Sequence, residues 1–148
     1  MNALEPLEAR LSALIASLSA PARKKLASSI ARKLRASQQR NIRRQQAPDG
    51  TPFKPRKKQP LRGKKGRIRR EMFAKLRTAK YMKTQPSPNE AVIEFAGNVQ
   101  RIARVHHYGL RDRPSSKGKE VQYEARTLMG ISDNDYQFIE EIIISALA

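Results

Sequence analysis

Leu4, Leu7, Leu11, Leu14, Ile15 and Leu18 recur at three-to-four spacing, with Glu5, Glu8 and Arg10 between them. That period gathers the apolar side chains on one stripe and predicts an amphipathic helix. Pro6 falls in its first turn, where a missing N–H is tolerated. Ser19 and Pro21 then mark a fresh start, with Ser19 as the cap of a second helix running to about Gln46. The apolar stripe of this second helix is thin: Leu26, Ile30 and Leu34, with Ala22, Ala27 and Ala31 beside them. A helix with so little to bury is expected to pack weakly on its own domain or to dock on a neighbouring subunit.

From Ala47 to Gly66 the periodicity stops. Pro48-Asp49-Gly50 is a turn signature, and Pro52, Pro55, Pro60, Gly63 and Gly66 keep the rest irregular, so an extended arm is expected. Helix is predicted again over Arg67–Ala79, from Ile68, Met72, Phe73 and Leu76. Tyr81–Thr84 and Ala91–Ala96 read as two strands joined through Pro86-Ser87-Pro88-Asn89. Arg101–Tyr108 suits a helix or a strand equally. Glu120–Leu128 alternates like a strand. Ser132-Asp133-Asn134-Asp135 opens a last helix whose wide apolar face holds Tyr136, Phe138, Ile139, Ile142, Ile143 and Leu147. The expected fold is α+β: a small antiparallel sheet packed by the C-terminal helix, with Ile139, Ile142 and Ile143 as core. The chain divides into N-terminal helices (1–46), an extended basic arm (47–66) and an α+β core (67–148). Gly109 and Gly130 end elements, where positive φ is the default reading.

Charge changes the picture more than composition does. The 148 residues carry a formal net charge of +18, and Arg23–Lys83 holds 23 Lys and Arg against only Asp49 and Glu71. A block of that kind marks a polyanion or an acidic protein surface as partner, or else a solvated segment. On the second helix the exposed cations include Arg32, Arg35, Arg43 and Arg44. No apolar run approaches the length of a membrane span, and acidic Glu5 and Glu8 stand where a signal peptide is positive, so a cytoplasmic chain without membrane contact is expected.

The chemistry of catalysis is missing. There is no cysteine, and the two histidines, His106 and His107, are adjacent, so they point in different directions on helix or strand and chelate poorly. No carboxylate pair has acid–base spacing, and Gly63-Lys-Lys-Gly66 is not a phosphate loop. A non-enzymatic protein with no cofactor and no metal is expected. A basic DNA- or RNA-binding protein is the alternative, although only Phe53, Phe73 and Tyr81 could stack bases within the block.

Two segments carry a resemblance. The first is Gln45-Gln-Ala-Pro-Asp-Gly-Thr-Pro-Phe-Lys-Pro-Arg56, following a basic helix. The second is Arg101-Ile-Ala-Arg-Val-His-His-Tyr-Gly109, then Val121-Gln-Tyr-Glu-Ala-Arg-Thr-Leu-Met-Gly-Ile-Ser-Asp133 and a C-terminal helix. In this order they resemble the tail completion protein S family, the phage virion morphogenesis proteins of contractile-tailed temperate phages. His107 stands where that family usually has Gln, and Glu124 where it usually has Pro. The resemblance implies a structural virion protein, made in the host cytoplasm, that completes the tail at its head-proximal end and helps join tail to head. It implies a homo-oligomeric ring, six-fold before twelve-fold, in contact with tail tube or terminator and head–tail connector proteins, with phage DNA as a further candidate contact. The candidate partner-binding residues are then Arg32, Arg35, Arg43 and Arg44 on the second helix, and Asp49, Gly50, Pro52, Phe53, Pro55 and Arg56 on the arm. His106, Gly109 and Arg126 complete the set, with Arg126 paired to an acid either across an interface or within its own chain.

Overall fold

A computed structural model describes residues 5–56 and 71–147. The elements in order are α1 (Glu5–Ala16), α2 (Ala20–Arg43), β1 (Met82–Pro86), β2 (Ala91–Phe95), α3 (Gln100–Tyr108), β3 (Arg111–Asp112), β4 (Val121–Gln122) and α4 (Asp133–Leu147). Helices and two separate two-stranded antiparallel sheets, β1–β2 and β3–β4, make this an α+β fold. Two compact units are present, one of residues up to 36, 83–94 and from 131 on, the other of 37–82 and 95–130.

In the first unit the predicted caps are in place. Ser19 Oγ accepts the Ala22 N–H at 3.3 Å to start α2. Ser132 Oγ accepts the Asp135 N–H at 3.1 Å while Asp135 Oδ2 accepts the Ser132 N–H at 3.0 Å, a reciprocal capping box that starts α4. Asp135 is buried by this arrangement. Ser132→Ala is expected to cost about 1 kcal/mol, read as a lower urea midpoint with an unchanged slope. The hairpin turn is closed by Ser87, whose Oγ accepts from Asn89 and Glu90, and Arg23 Nε donates to the Pro88 carbonyl at 3.2 Å.

The expectation for α4 is corrected. Its principal neighbour among the elements is α1, and Ile139, Ile142 and Ile143 are half-buried rather than core. A two-stranded ribbon is too narrow to cover so wide an apolar face.

The second unit is built on polar burial. Ser37, Gln38 and Asn41 of α2 are buried together with Ile42. The Gln38 amide grips the backbone of Gly130 from both sides: Nε2 donates to the carbonyl at 2.9 Å and Oε1 accepts the N–H at 3.0 Å. Gln45 does the same to Met72, at 2.9 and 2.8 Å. Gln39 Nε2 donates to the Arg77 carbonyl at 2.8 Å. Past Arg43 the chain turns out of the helix at Gln45 (φ 55°), with the Gln46 N–H returning to the Asn41 carbonyl at 3.0 Å, a Schellman closure. The thin apolar stripe therefore does not mean weak packing; amides replace methyls.

Three further expectations are corrected or resolved here. Residues 71–79 form turns, not helix, because Phe73 adopts φ 65°, which no right-handed helix accepts; residues 67–70 of that predicted helix lie outside the described residues. Residues 101–108, open from sequence, are helical in α3. The strand expected over 120–128 shrinks to Val121–Gln122, which pairs with β3 in the register Arg111↔Gln122 and Asp112↔Val121. Beyond it the chain has no regular secondary structure through Gly130, and its donors go elsewhere: Tyr123 N–H to the Leu110 carbonyl, Arg126 N–H to the His106 carbonyl and Leu128 N–H to His107 Nδ1. The end of α3 and Leu110 just past it supply the acceptors that hold this strap. The unit's apolar core is Phe53, Leu76, Ala103 and Leu128, with Met72, Phe73, Phe95 and Val99 packed against it.

Candidate functional site

The first half of the proposed arm is folded. The Ala47 N–H donates to the Thr51 carbonyl at 2.8 Å, Gly50 takes φ 89° as the turn signature requires, and Asp49 Oδ1 accepts the Thr51 N–H at 2.9 Å. Hydrogen bonds from Thr51, its backbone N–H first, hold the Asp49 carboxyl below its ordinary pKa. A bridge between Gln46 and Pro52 closes the turn, and Phe53 enters the core. The extended-arm expectation thus fails for 47–53, since local turn chemistry and one aromatic anchor outweigh the prolines. Residues 57–66 lie outside the described residues. A deletion from Thr51 to Lys65 would remove a core residue and is expected to unfold this unit.

After Phe53 the chain runs along a groove of about 680 Å³, whose lining includes Lys54, Arg56, Phe73, His106, Tyr123 and Arg126. Its floor is a run of edge-to-face rings: Phe53 on Phe73 at 5.8 Å, Phe73 on His106 at 5.0 Å, and His106 on Tyr123 at 4.7 Å. Arg126 is the fastener. It is buried, with Nε donating to the Lys54 carbonyl at 2.9 Å and a terminal nitrogen to the Pro55 carbonyl at 3.2 Å. Among the described residues it forms no ion pair, so of the two expected pairings the one within its own chain gives way to a fork that holds backbone. The nearby acid, Glu124, instead pairs with Lys54 at 2.9 Å, with both side chains exposed. Arg126→Met is expected to lose about 1.5–3 kcal/mol, measured by urea unfolding. Arg126→Lys should recover less than half of that, because an ammonium cannot span two carbonyls as the planar fork does.

Each histidine has a different task. His107 Nδ1 accepts the Leu128 N–H at 3.1 Å, which fixes the neutral ring with its proton on Nε2. His106 is half-buried, and its buried Nδ1 has no hydrogen-bond partner among the described residues. Burial lowers the pKa of both, and the Arg126 charge lowers His106 further against a smaller opposing pull from Asp112. The folded protein therefore holds these protons less tightly than the unfolded chain, whose imidazoles titrate near pH 6.5. Stability from this source is complete above that value and is lost as pH falls below it toward the folded pKa values. The melting temperature is expected to drop between about pH 7.5 and about pH 5.5; a flat or rising trend would contradict the placement of both rings.

Of the residues singled out from sequence, the structure gathers Phe53, Pro55, Arg56, His106 and Arg126 at or beneath this groove. Gly109 stands behind it as the left-handed cap of α3, at φ 68° and ψ 53°. Asp49, Gly50 and Pro52 build the turn. Arg32, Arg43 and Arg44 are exposed on or just past α2 and Arg35 is half-buried. Gly130 does not need positive φ; its reason is closeness, since a Cβ there would sit 3.0 Å from Pro48 Cγ. Sequence reasoning missed Gln38, Gln45 and Tyr123. The cluster of glutamines at the end of an otherwise apolar-poor helix was the available signal.

Among the described residues no group of three His, Cys, Asp or Glu stands together to hold a metal, and no helix is long and apolar enough to cross a membrane. No solved structure matches the chain. The chain is 45% identical over 148 residues to tail completion protein S of Escherichia phage P2, an alignment covering 99% of each. Residues 2–148 match the profile of the phage virion morphogenesis family. The turn at Pro48–Gly50, the Arg126 fastener and the Gly109 cap all lie in the segments that carried the resemblance, and with a match of this length the chain belongs to the phage virion morphogenesis family.

Proposed function

We propose that this chain is a non-enzymatic structural protein of the phage particle that completes the tail at its head-proximal end and helps join tail to head. The end-to-end identity with a tail completion protein is the observation that carries this reading. We further infer that it works as a ring, six-fold in preference to twelve-fold, because a tail has cyclic symmetry and head-to-tail contacts close into rings. Its other partners are tail tube or terminator proteins and head–tail connector proteins. The basic block supports acidic protein surfaces before DNA as its counterpart, since a sticky basic wall would hinder DNA sliding through a channel. The exposure of Arg32, Arg43 and Arg44, on α2 or just beyond its end, supports this counterpart.

The test is a reconstruction of the neck of particles made with this protein, beside particles made without it. The expected result is a ring of this chain at the top of the tail, and unjoined heads and tails in its absence. Normal infectious particles without the protein would overturn the reading. A bore lined by most of Arg23–Lys83, with no acidic protein nearby, would replace the protein counterpart by DNA.

A further inference from the structure

The exposed faces of α4 and α2 match each other in spacing, size and charge. On α4, Asp133, Tyr136, Glu140 and Ile144 follow at intervals of three, four and four residues, which keeps them on one stripe. Tyr136 is 62% and Ile144 51% exposed, the two large apolar side chains of α4 left most open. Asp133 is exposed and Glu140 half-buried, and neither pairs with a described cation. On α2, Pro21, Lys25, Ser29 and Arg32 follow at intervals of four, four and three. Pro21, Lys25 and Arg32 are exposed, Ser29 is half-buried, and neither cation pairs with a described carboxylate.

We infer that the α4 stripe of one copy docks antiparallel on the α2 stripe of the next, with Asp133 on Arg32, Tyr136 on Ser29, Glu140 on Lys25 and Ile144 on Pro21. The reversed order of intervals is what makes the register work: three, four, four read forward on α4 equals three, four, four read backward on α2. Each charge pair lies seven residues from its twin, about 10.5 Å along either helix. The small Ser29 leaves room for the Tyr136 ring between the two ion pairs, and a ring so framed is the kind of side chain that dominates interface energetics. The rows at four-residue spacing are the ridges by which helices interdigitate. The occupant is a second copy because the complementary face is on the chain itself. Two different faces meet, so the contact is heterologous and propagates until it closes. This inference rests on the ring reading above and names the surface that builds it.

The experiment uses the purified full chain at low salt, with association followed by light scattering and folding checked by circular dichroism. Glu140→Lys and Lys25→Glu are each expected to weaken association at least about tenfold while leaving the fold intact. Carried together in one chain, they restore it. Lys24→Glu changes the net charge by the same amount from off the stripe and is expected not to rescue Glu140→Lys. Rescue by Lys24→Glu would reduce the effect to bulk charge and overturn the contact. Rescue by Arg32→Glu instead of Lys25→Glu would overturn the antiparallel register. Wild-type oligomers indifferent to either reversal would sink this interface and leave the ring reading standing. A wild-type chain that stays monomeric at high concentration would sink both.

Discussion

Gly109→Ala is expected to give a chain that unfolds at far lower urea than the wild type, or fails to fold. Two costs add at this residue. The left-handed conformation at φ 68° costs an alanine about 1–2 kcal/mol. The larger cost is the neighbour: a Cβ would stand 2.7 Å from the Ala125 nitrogen and 3.0 Å from its Cα, and these are backbone atoms that cannot swing aside. Moving them pulls on the strap that Arg126 N–H and Leu128 N–H tie to His106 and His107. For a domain whose whole stability is about 5–15 kcal/mol, that is a large fraction. Gly109→Asn separates the two costs, because asparagine tolerates the left-handed region but still carries a Cβ. Near-wild-type unfolding of the asparagine variant would show that the close approach is unimportant.

Gln38→Ala is expected to be the next most damaging change. The side chain is 2% exposed, and its amide satisfies both the N–H and the carbonyl of Gly130. Truncation orphans two backbone groups, each at a cost of about 1–3 kcal/mol when water cannot replace the partner. Gly130 is itself half-buried, which places the expected loss in the lower part of that range for each group. Gln38→Glu keeps the acceptor for the N–H but turns a second oxygen toward the carbonyl, so it should be no better. Urea unfolding measures all three proteins. A loss below about 1 kcal/mol for the alanine variant would mean that the amide is not what anchors the strap's end to α2.

Helix starts were legible because their chemistry is local. Ser19 and Ser132 advertise themselves by type and position, and both cap as expected. The Pro48–Gly50 turn was legible for the same reason. What stayed hidden needed partners distant in sequence. Phe53 sits amid prolines and lysines, and only the arrival of Leu76, Ala103 and Leu128 makes it core. Phe73 continues an apolar helical pattern on paper, yet its ring is required against Phe53 and His106, and its backbone turns left-handed. Arg126 read as one half of an ion pair, across an interface or within its chain, because a sequence shows carboxylates and hides free carbonyls; within the chain it holds backbone instead. The buried glutamines escaped because a hydrophobicity pattern counts an amide as outward-facing wherever it lies. Phe53, Pro55, Arg56, His106 and Arg126 were therefore visible as residues, but the groove they line or underlie was not.

The amide grip of Gln38 and Gln45 also shapes how this protein answers to temperature. Exposing apolar surface raises the heat capacity on unfolding, and exposing polar surface lowers it. A unit that buries Ser37, Gln38 and Asn41 in places where most helices bury methyl groups releases less of the first kind and more of the second. Its heat-capacity increment should fall below the usual ~12–15 cal/mol/K per residue. The stability curve is then broad and shallow. Chilling, which weakens a methyl-packed core, takes little from a fold fastened by amides to backbone.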